Sequence, residues 1–265
     1  MALGAIDSSS NLGGPIRTYD SKSLKYEKVY RRVLIWPNVK RPGISNRAKH
    51  TIPPIVGFVI ITATFIRNWV VGNYYWGNQC LVGLALVLLM GFIIYYFEIH
   101  IPIYLTSIAI LALVLHYVGA SMEGMTIGSI EFPPPNGAYS AFPWWDHVTH
   151  LFGSIAMVLI IGYFFQLYFA SQGFMPHKSV VWLSAFALGI VFGVGVELYE
   201  FSGFRWFLTI DQGGYENTLW DLAYDTFGSA TGAVVGGALD LFGAHSRSIQ
   251  SSLEDFRKSK KRKGG

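Results

Sequence analysis

Apolar residues dominate six stretches of the chain, at 55–71, 81–97, 103–119, 151–170, 180–198 and 222–241, separated by short polar connections and one long one at 121–143. At a rise of about 1.5 Å per residue each can cross about 30 Å of hydrocarbon once its ends are read generously. The pattern therefore predicts an all-α polytopic transmembrane helix bundle of about six spans. The sixth is the weakest, because it opens with two acids and is rich in small residues. Before the first span, LKYEKVYRRVLIWPNVKR sets Tyr26, Val29, Tyr30, Val33 and Trp36 three or four apart among basic residues. That spacing suits either a short helix in the headgroup layer or a basic linker, with Pro37 and Pro42 ending it.

Charge orients the bundle. Only 14% of the residues are charged and 52% are hydrophobic, too few charges for the surface of a soluble domain. Residues 1–50 and 244–265 hold 17 of the 20 Lys and Arg with 5 acids, and residues 51–243 hold 3 basic residues with 11 acids. An even number of spans puts both tails on one side, and their basic character makes that side cytoplasmic. The chain divides into a basic, partly disordered tail (1–50), a transmembrane domain (51–243) and a second basic tail (244–265). The tails would meet anionic headgroups; with a hydrophobic body between them, nucleic acid is not expected. The first residues lack the apolar core of a signal peptide. The single Cys80 excludes an intramolecular disulfide. Lys261 and Lys263 in the closing KRKGG resemble a dilysine retrieval signal, so the expected membrane is the endoplasmic reticulum in a eukaryote and the plasma membrane in a prokaryote.

This topology brings the chemistry to one face. His116 ends span three, Asp146, His147 and His150 begin span four, Glu197 and Glu200 end span five, and Asp221 and Asp225 begin span six. Glu98, His100 and Asp240 stand at the opposite ends, with Glu98 and Asp240 read as solvated helix termini. Asp146, His147 and His150 share an arc of one helix, Glu197 and Glu200 are three apart, and Asp221 and Asp225 are four apart. Such acids could not all stay ionised together without a counter-charge. A divalent cation, shared protons, Arg67, Arg205 or a wet cleft would each supply relief. Asp221, Asp225, Gly228, Gly232 and Gly236 lie on one stripe, as do Gly189, Gly193 and Glu197. Gly-xxx-Gly packing would then draw the acid-bearing ends of spans five and six together.

Mixed imidazole and carboxylate donors suit Zn, Mn or Fe, and carboxylates with water suit Mg. On this reading His147, His150, Glu197, Asp221 and Asp225 are the metal ligands, with His147 or Asp146 alternatively orienting an imidazole, and Glu200 or Asp146 the general base. Simpler readings stand beside it: Trp144 and Trp145 as interfacial anchors, His147 as a headgroup-exposed side chain, Asp146 and Glu200 as wet helix ends, and the glycines as packing. No H-E-x-x-H, G-x-S-x-G, phosphate loop or dinucleotide fingerprint occurs.

WWDHVTHLFGS, GVELYEF and GGYENTLWDLAYDTFGSATGAVVG together resemble an uncharacterised family of small multi-pass membrane proteins. Its pattern is a D-H-x-x-H helix start, a paired-glutamate helix end and a closing W-D-x-x-x-D-T-x-G helix. The resemblance covers about 143–237 and carries over Asp146, His147, His150, Glu197, Glu200, Asp221, Asp225 and Gly228. The tryptophan pair and the EFPPPNG loop depart from it. It implies the membrane fold and the position of the site, and names no reaction. Three functions fit these residues: a metal-assisted enzyme on lipid-like substrates, a scaffold or accessory subunit of a membrane complex with a protein partner, and a proton, cation or small-solute transporter. The transporter would need polar groups continuing across the membrane, where the chain has mostly apolar residues and glycine.

Overall fold

Long apolar helices account for most of the structure, a computed structural model that describes residues 45–96, 99–134, 136–207 and 213–263. The segment 24–41 and Glu98 lie outside the described residues. The helices are α1 (Ser45–Val70), α2 (Tyr74–Tyr96), α3 (Ile103–Ala120), the short α4 (Ala138–Ala141), α5 (Trp145–Ser171), α6 (Lys178–Phe207), α7 (Tyr215–Leu241) and α8 (Ala244–Lys263). Five of them, α1, α2, α3, α5 and α6, are each long and apolar enough to cross a membrane. The sixth qualifies only when α7 is taken with the start of α8, across a bend of 76°. The weakness of the last span in the sequence has this cause: α7 spends its helical surface on acids and glycines. Between 22% and 39% of each of the five apolar windows is buried within the chain, so most of their apolar surface faces outward, as lipid requires. The bundle is all-α and multi-pass. The exception is the long connection, where β1 (Thr126–Ile127) pairs antiparallel with β2 (Ile130–Glu131).

Two helix groups share α3. In one, α1, α2 and α3 pack around Ile61, Cys80, Val87, Ile110 and Tyr117. In the other, α5, α6 and α7 pack on one another, and α3 joins the groups through its contact with α5. A core of Leu105, Val158, Tyr163, Trp182 and Ile249 also brings α8 back against α5 and α7.

Small residues set the closest approaches. Gly228 and Gly232 of α7 press on the Leu151 and Ile155 carbonyls and on Ser154 and Val158 of α5, and Gly236 receives the Trp182 ring. The glycine stripe of the last span thus faces chiefly span four, and the sequence expectation that it draws spans five and six together holds only through α6. There Gly189 makes room for Ser229, and Gly193 for the Asp225 carboxylate. Periodicity shows that a stripe has a close neighbour without saying which helix supplies it.

One end of the bundle is closed by polar contacts to the long connection. Arg67 donates from Nη2 to the Glu123 carbonyl at 2.6 Å and from Nη1 to the Ser121 carbonyl. Asn68 Nδ2 reaches Ser121 Oγ at 2.6 Å, and Trp76 Nε1 donates to Asn136 Oδ1 at 3.1 Å. Arg67 is therefore committed to carbonyls and offers no counter-charge to the acids. Gly137, at φ +55°, turns the chain so tightly against the Gly119 carbonyl that a side chain there would collide with it. Of the tryptophan pair, Trp144 is exposed as an anchor would be, whereas Trp145 lays its ring across Gly119.

Candidate metal centre

Four helices deliver the sequence-predicted groups to the end of the bundle that the long connection covers. On α5, Asp146, His147, His150 and Ser154 climb successive turns toward α7. His147 Nδ1 stands 2.9 Å from Asp221 Oδ1, with its ring stacked on Tyr224 at 4.9 Å. A turn deeper, His150 Nδ1 faces Asp225 Oδ2 at 3.2 Å, and Ser154 Oγ donates to Asp225 Oδ1 at 2.6 Å. The other imidazole nitrogen of His150, Nε2, lies 3.7 Å from Asp146 Oδ1 and 3.8 Å from Glu197 Oε1. Asn217 ties the rim by donating to Asp146 Oδ2 at 2.9 Å and to Asp221. Gly193 lets α6 come close enough for Glu197 to complete the set.

Two groups of donor atoms meet the geometric demand of a metal ion, Asp146 with His150 and Asp221, and His150 with Glu197 and Asp225, each with all its atoms within 4.8 Å of one another. Donors on one ion at about 2.0–2.2 Å stand at most about 4.4 Å apart, so a small inward turn of the side chains would close either group. Three protein donors would leave room for a further ligand on such an ion. The Glu197 carboxylate is buried with no close hydrogen bond; Thr218 and His150 Nε2, 3.8 Å from Oε1, stand beside it, and Glu200 Oε2 is likewise buried without a hydrogen bond. A buried carboxylate so loosely paired is costly, and a cation would satisfy it. Among the described residues, no Lys or Arg forms an ion pair with any of these acids, and Arg205 is exposed.

His150, Glu197, Asp221 and Asp225 fall in the donor groups. Asp146, one of the two residues read as general base, falls in a donor group as well. His147 belongs to neither group and pairs with Asp221 instead. Glu200 lies beside His116 on the wall of a 520 Å³ cavity whose upper end also includes His150, Ser154 and Asp225. His116 forms no hydrogen bond with the donors; its Nδ1 lies 2.7 Å from Tyr139 Oη. Tyr139 lies in the covering connection, where burial pushes its phenol well above the ordinary range and keeps it a donor.

Ser154, Asn217, Thr218 and Tyr224 are the site residues that the sequence reading did not assign a role. Ser154 and Asn217 carried a signal, since each stands four residues from a predicted ligand, His150 and Asp221, on the same helix face.

The opposite end requires a correction. Asp240 is not a solvated terminus but 3% exposed. Its Oδ2 accepts from Gln166 Nε2 at 2.9 Å and Trp182 Nε1 at 2.7 Å, and its Oδ1 meets His245 Nδ1 at 2.6 Å. Lys178 Nζ caps its carbonyl at 2.7 Å. The bend into α8 is what folds His245 over the acid.

Fold and site together define a multi-pass membrane protein with a buried His, Asp and Glu cluster capable of coordinating a metal. The family described as "Predicted membrane protein (DUF2238)" matches residues 53–240, and the chain belongs to it. No curated protein and no solved structure matches it significantly.

Proposed function

We propose that the protein is a membrane-embedded, metal-assisted hydrolase acting on an ester or phosphoester of a lipid-like amphiphile at the non-cytoplasmic side. The observation that carries this reading is the His150, Glu197 and Asp225 donor group, with Glu197 loosely paired, at the head of an apolar cavity. A divalent ion held there would polarise the scissile group and lower the pKa of a bound water. Glu200, on the cavity wall with Oε2 unpartnered, is placed to accept the proton. Asp221 and His147 would hold the rim, and Ser154 would fix the Asp225 carboxylate.

A purely structural cluster, as in a scaffold subunit, should be closed and fully hydrogen-bonded; the loosely paired Glu197 and the adjoining cavity favour chemistry instead. A relay across the membrane would need polar groups between the Asp225 and Asp240 ends, and the cavity between them is lined mostly by apolar side chains. The basic tails would hold the cytoplasmic side against anionic lipid.

Elemental analysis of detergent-purified protein tests the reading. Wild type should carry a near-stoichiometric transition metal or Mg, and His150→Ala and Asp225→Asn should lose it. A wild-type protein free of metal after metal-replete growth would overturn it.

A further inference from the structure

The cavity below the donor groups is long and graded from polar to apolar. Its polar lining, His116, Thr149, His150, Ser154, Glu200 and Asp225, gathers at the metal end, and the remainder is aliphatic or aromatic save Thr106, whose hydroxyl is turned back onto the Ile103 carbonyl. Along α5 the lining runs from Thr149 and His150 to Phe164, a rise of about 21 Å from His150. A cavity of 520 Å³ drawn out over that length is slender and has room for a polymethylene chain in van der Waals contact with its walls at about 3.5–4.0 Å.

Small side chains keep it hollow. Ala109 and Ala112 of α3 and Gly153 and Ala156 of α5 all line it, and a Cβ added at Gly153 would meet nothing within 4 Å. Gly153 thus borders open space just below His150.

The cavity also has a side. Leu86 and Leu89 of α2 and Phe192 and Val196 of α6 line it, yet each is exposed, at 45%, 52%, 50% and 44% respectively. The helices α2 and α6 share no packed interface. With lipid as the surroundings, the gap between them opens to the hydrocarbon layer and not to water.

We propose that this cavity binds an acyl chain of a membrane amphiphile, which enters sideways between α2 and α6 and brings its linkage or headgroup up to His150 and Glu200. The inference deepens the hydrolase reading by naming the substrate as a lipid with an acyl tail, and it rests on that reading for the chain's being a substrate. Binding of the chain itself needs no ion.

The test uses the full chain reconstituted in phosphatidylcholine vesicles containing a trace of a fatty acid with a mid-chain diazirine. After irradiation, peptide mapping should place adducts on cavity residues such as Met157 and Ile160 as well as on the lipid-facing residues Leu88 and Val191. Gly153→Leu, which has room for its own Cβ and improves helix propensity, should cut cavity adducts at least about tenfold while leaving the lipid-facing adducts unchanged. Ala112→Phe should do the same from the opposite wall, which guards against misfolding of either variant. Adducts confined to lipid-facing positions in wild type, or cavity labelling indifferent to both plugs, would overturn the proposal. Labelling that persists in His150→Ala after its metal is lost supports the chain site independently of the metal. A metal-replete wild type without cavity adducts sinks the chain site and leaves the metal reading standing.

Discussion

His150 and Asp225 are separated by 75 residues of chain, yet Nδ1 of one faces Oδ2 of the other at 3.2 Å in the buried interface of α5 and α7. That contact holds the imidazole and the carboxylate together as two donors of the His150, Glu197 and Asp225 group. Ser154 in turn fixes the carboxylate. Ser154→Ala should therefore lower metal affinity about 10-fold to 100-fold, measured by competition with a chelator, with the helical content unchanged.

Gly193 is the space that the Asp225 carboxylate occupies. Gly193→Ala would place a methyl group on that carboxylate, and overpacking of this kind costs about 1–3 kcal/mol. Metal content should fall with it. Gly195→Ala, two residues on and facing open space, should change neither stability nor metal, and thermal unfolding beside elemental analysis separates the two.

Asp240→Ala leaves Gln166, Trp182 and His245 without their shared acceptor. Buried polar groups left unpaired cost about 1–3 kcal/mol each, so the unfolding midpoint in detergent should drop by several degrees and α8 should become open to proteolysis. Metal content, set at the other end of α7, should persist.

Tyr139 supplies a pH dependence. Its folded phenol stays neutral through the range in which an exposed tyrosine, near about pH 10, ionises. The unfolded chain then binds fewer protons than the folded one, so this group's contribution to stability falls as pH rises past about 10. Tyr139→Phe should flatten that part of the stability profile, at the cost of about 1 kcal/mol at neutral pH for the lost bond to His116.

Sidedness is open to a direct check. Cys80 is fully buried, and in a Cys80→Ser background single cysteines at Ser129 and Ser246, both exposed, should label from opposite faces of sealed vesicles. Ser129 should report the non-cytoplasmic face. Labelling of both from one face would remove the positive-inside assignment.

Much of this molecule could be read from residue spacing, within a definable limit. Apolar length locates a helix in depth, which is why five spans and the level of His150, Glu197 and Asp225 were legible. Hydropathy carries little about azimuth, so it did not show that Gly228 and Gly232 meet α5 while Gly236 meets Trp182 of α6. Asp240 looked solvated because its three partners come from α5, α6 and α8 and share no local motif. The room beside Gly153 was invisible for a related reason: a glycine that packs and a glycine that leaves a hollow are written with the same letter.

A rod faced with glycine slides easily along its neighbours, and α7 is such a rod between Gly228 and Gly236. It is pinned at both extremities, by Asp225 to His150 and Ser154 and by Asp240 to Gln166, Trp182 and His245. The pins are about 22 Å apart along the axis, so an axial slip of even one residue breaks both sets in the same instant. The smooth surface that permits close approach is thereby denied its freedom to drift, and the register of the ligand-bearing end is held from the other end of the helix.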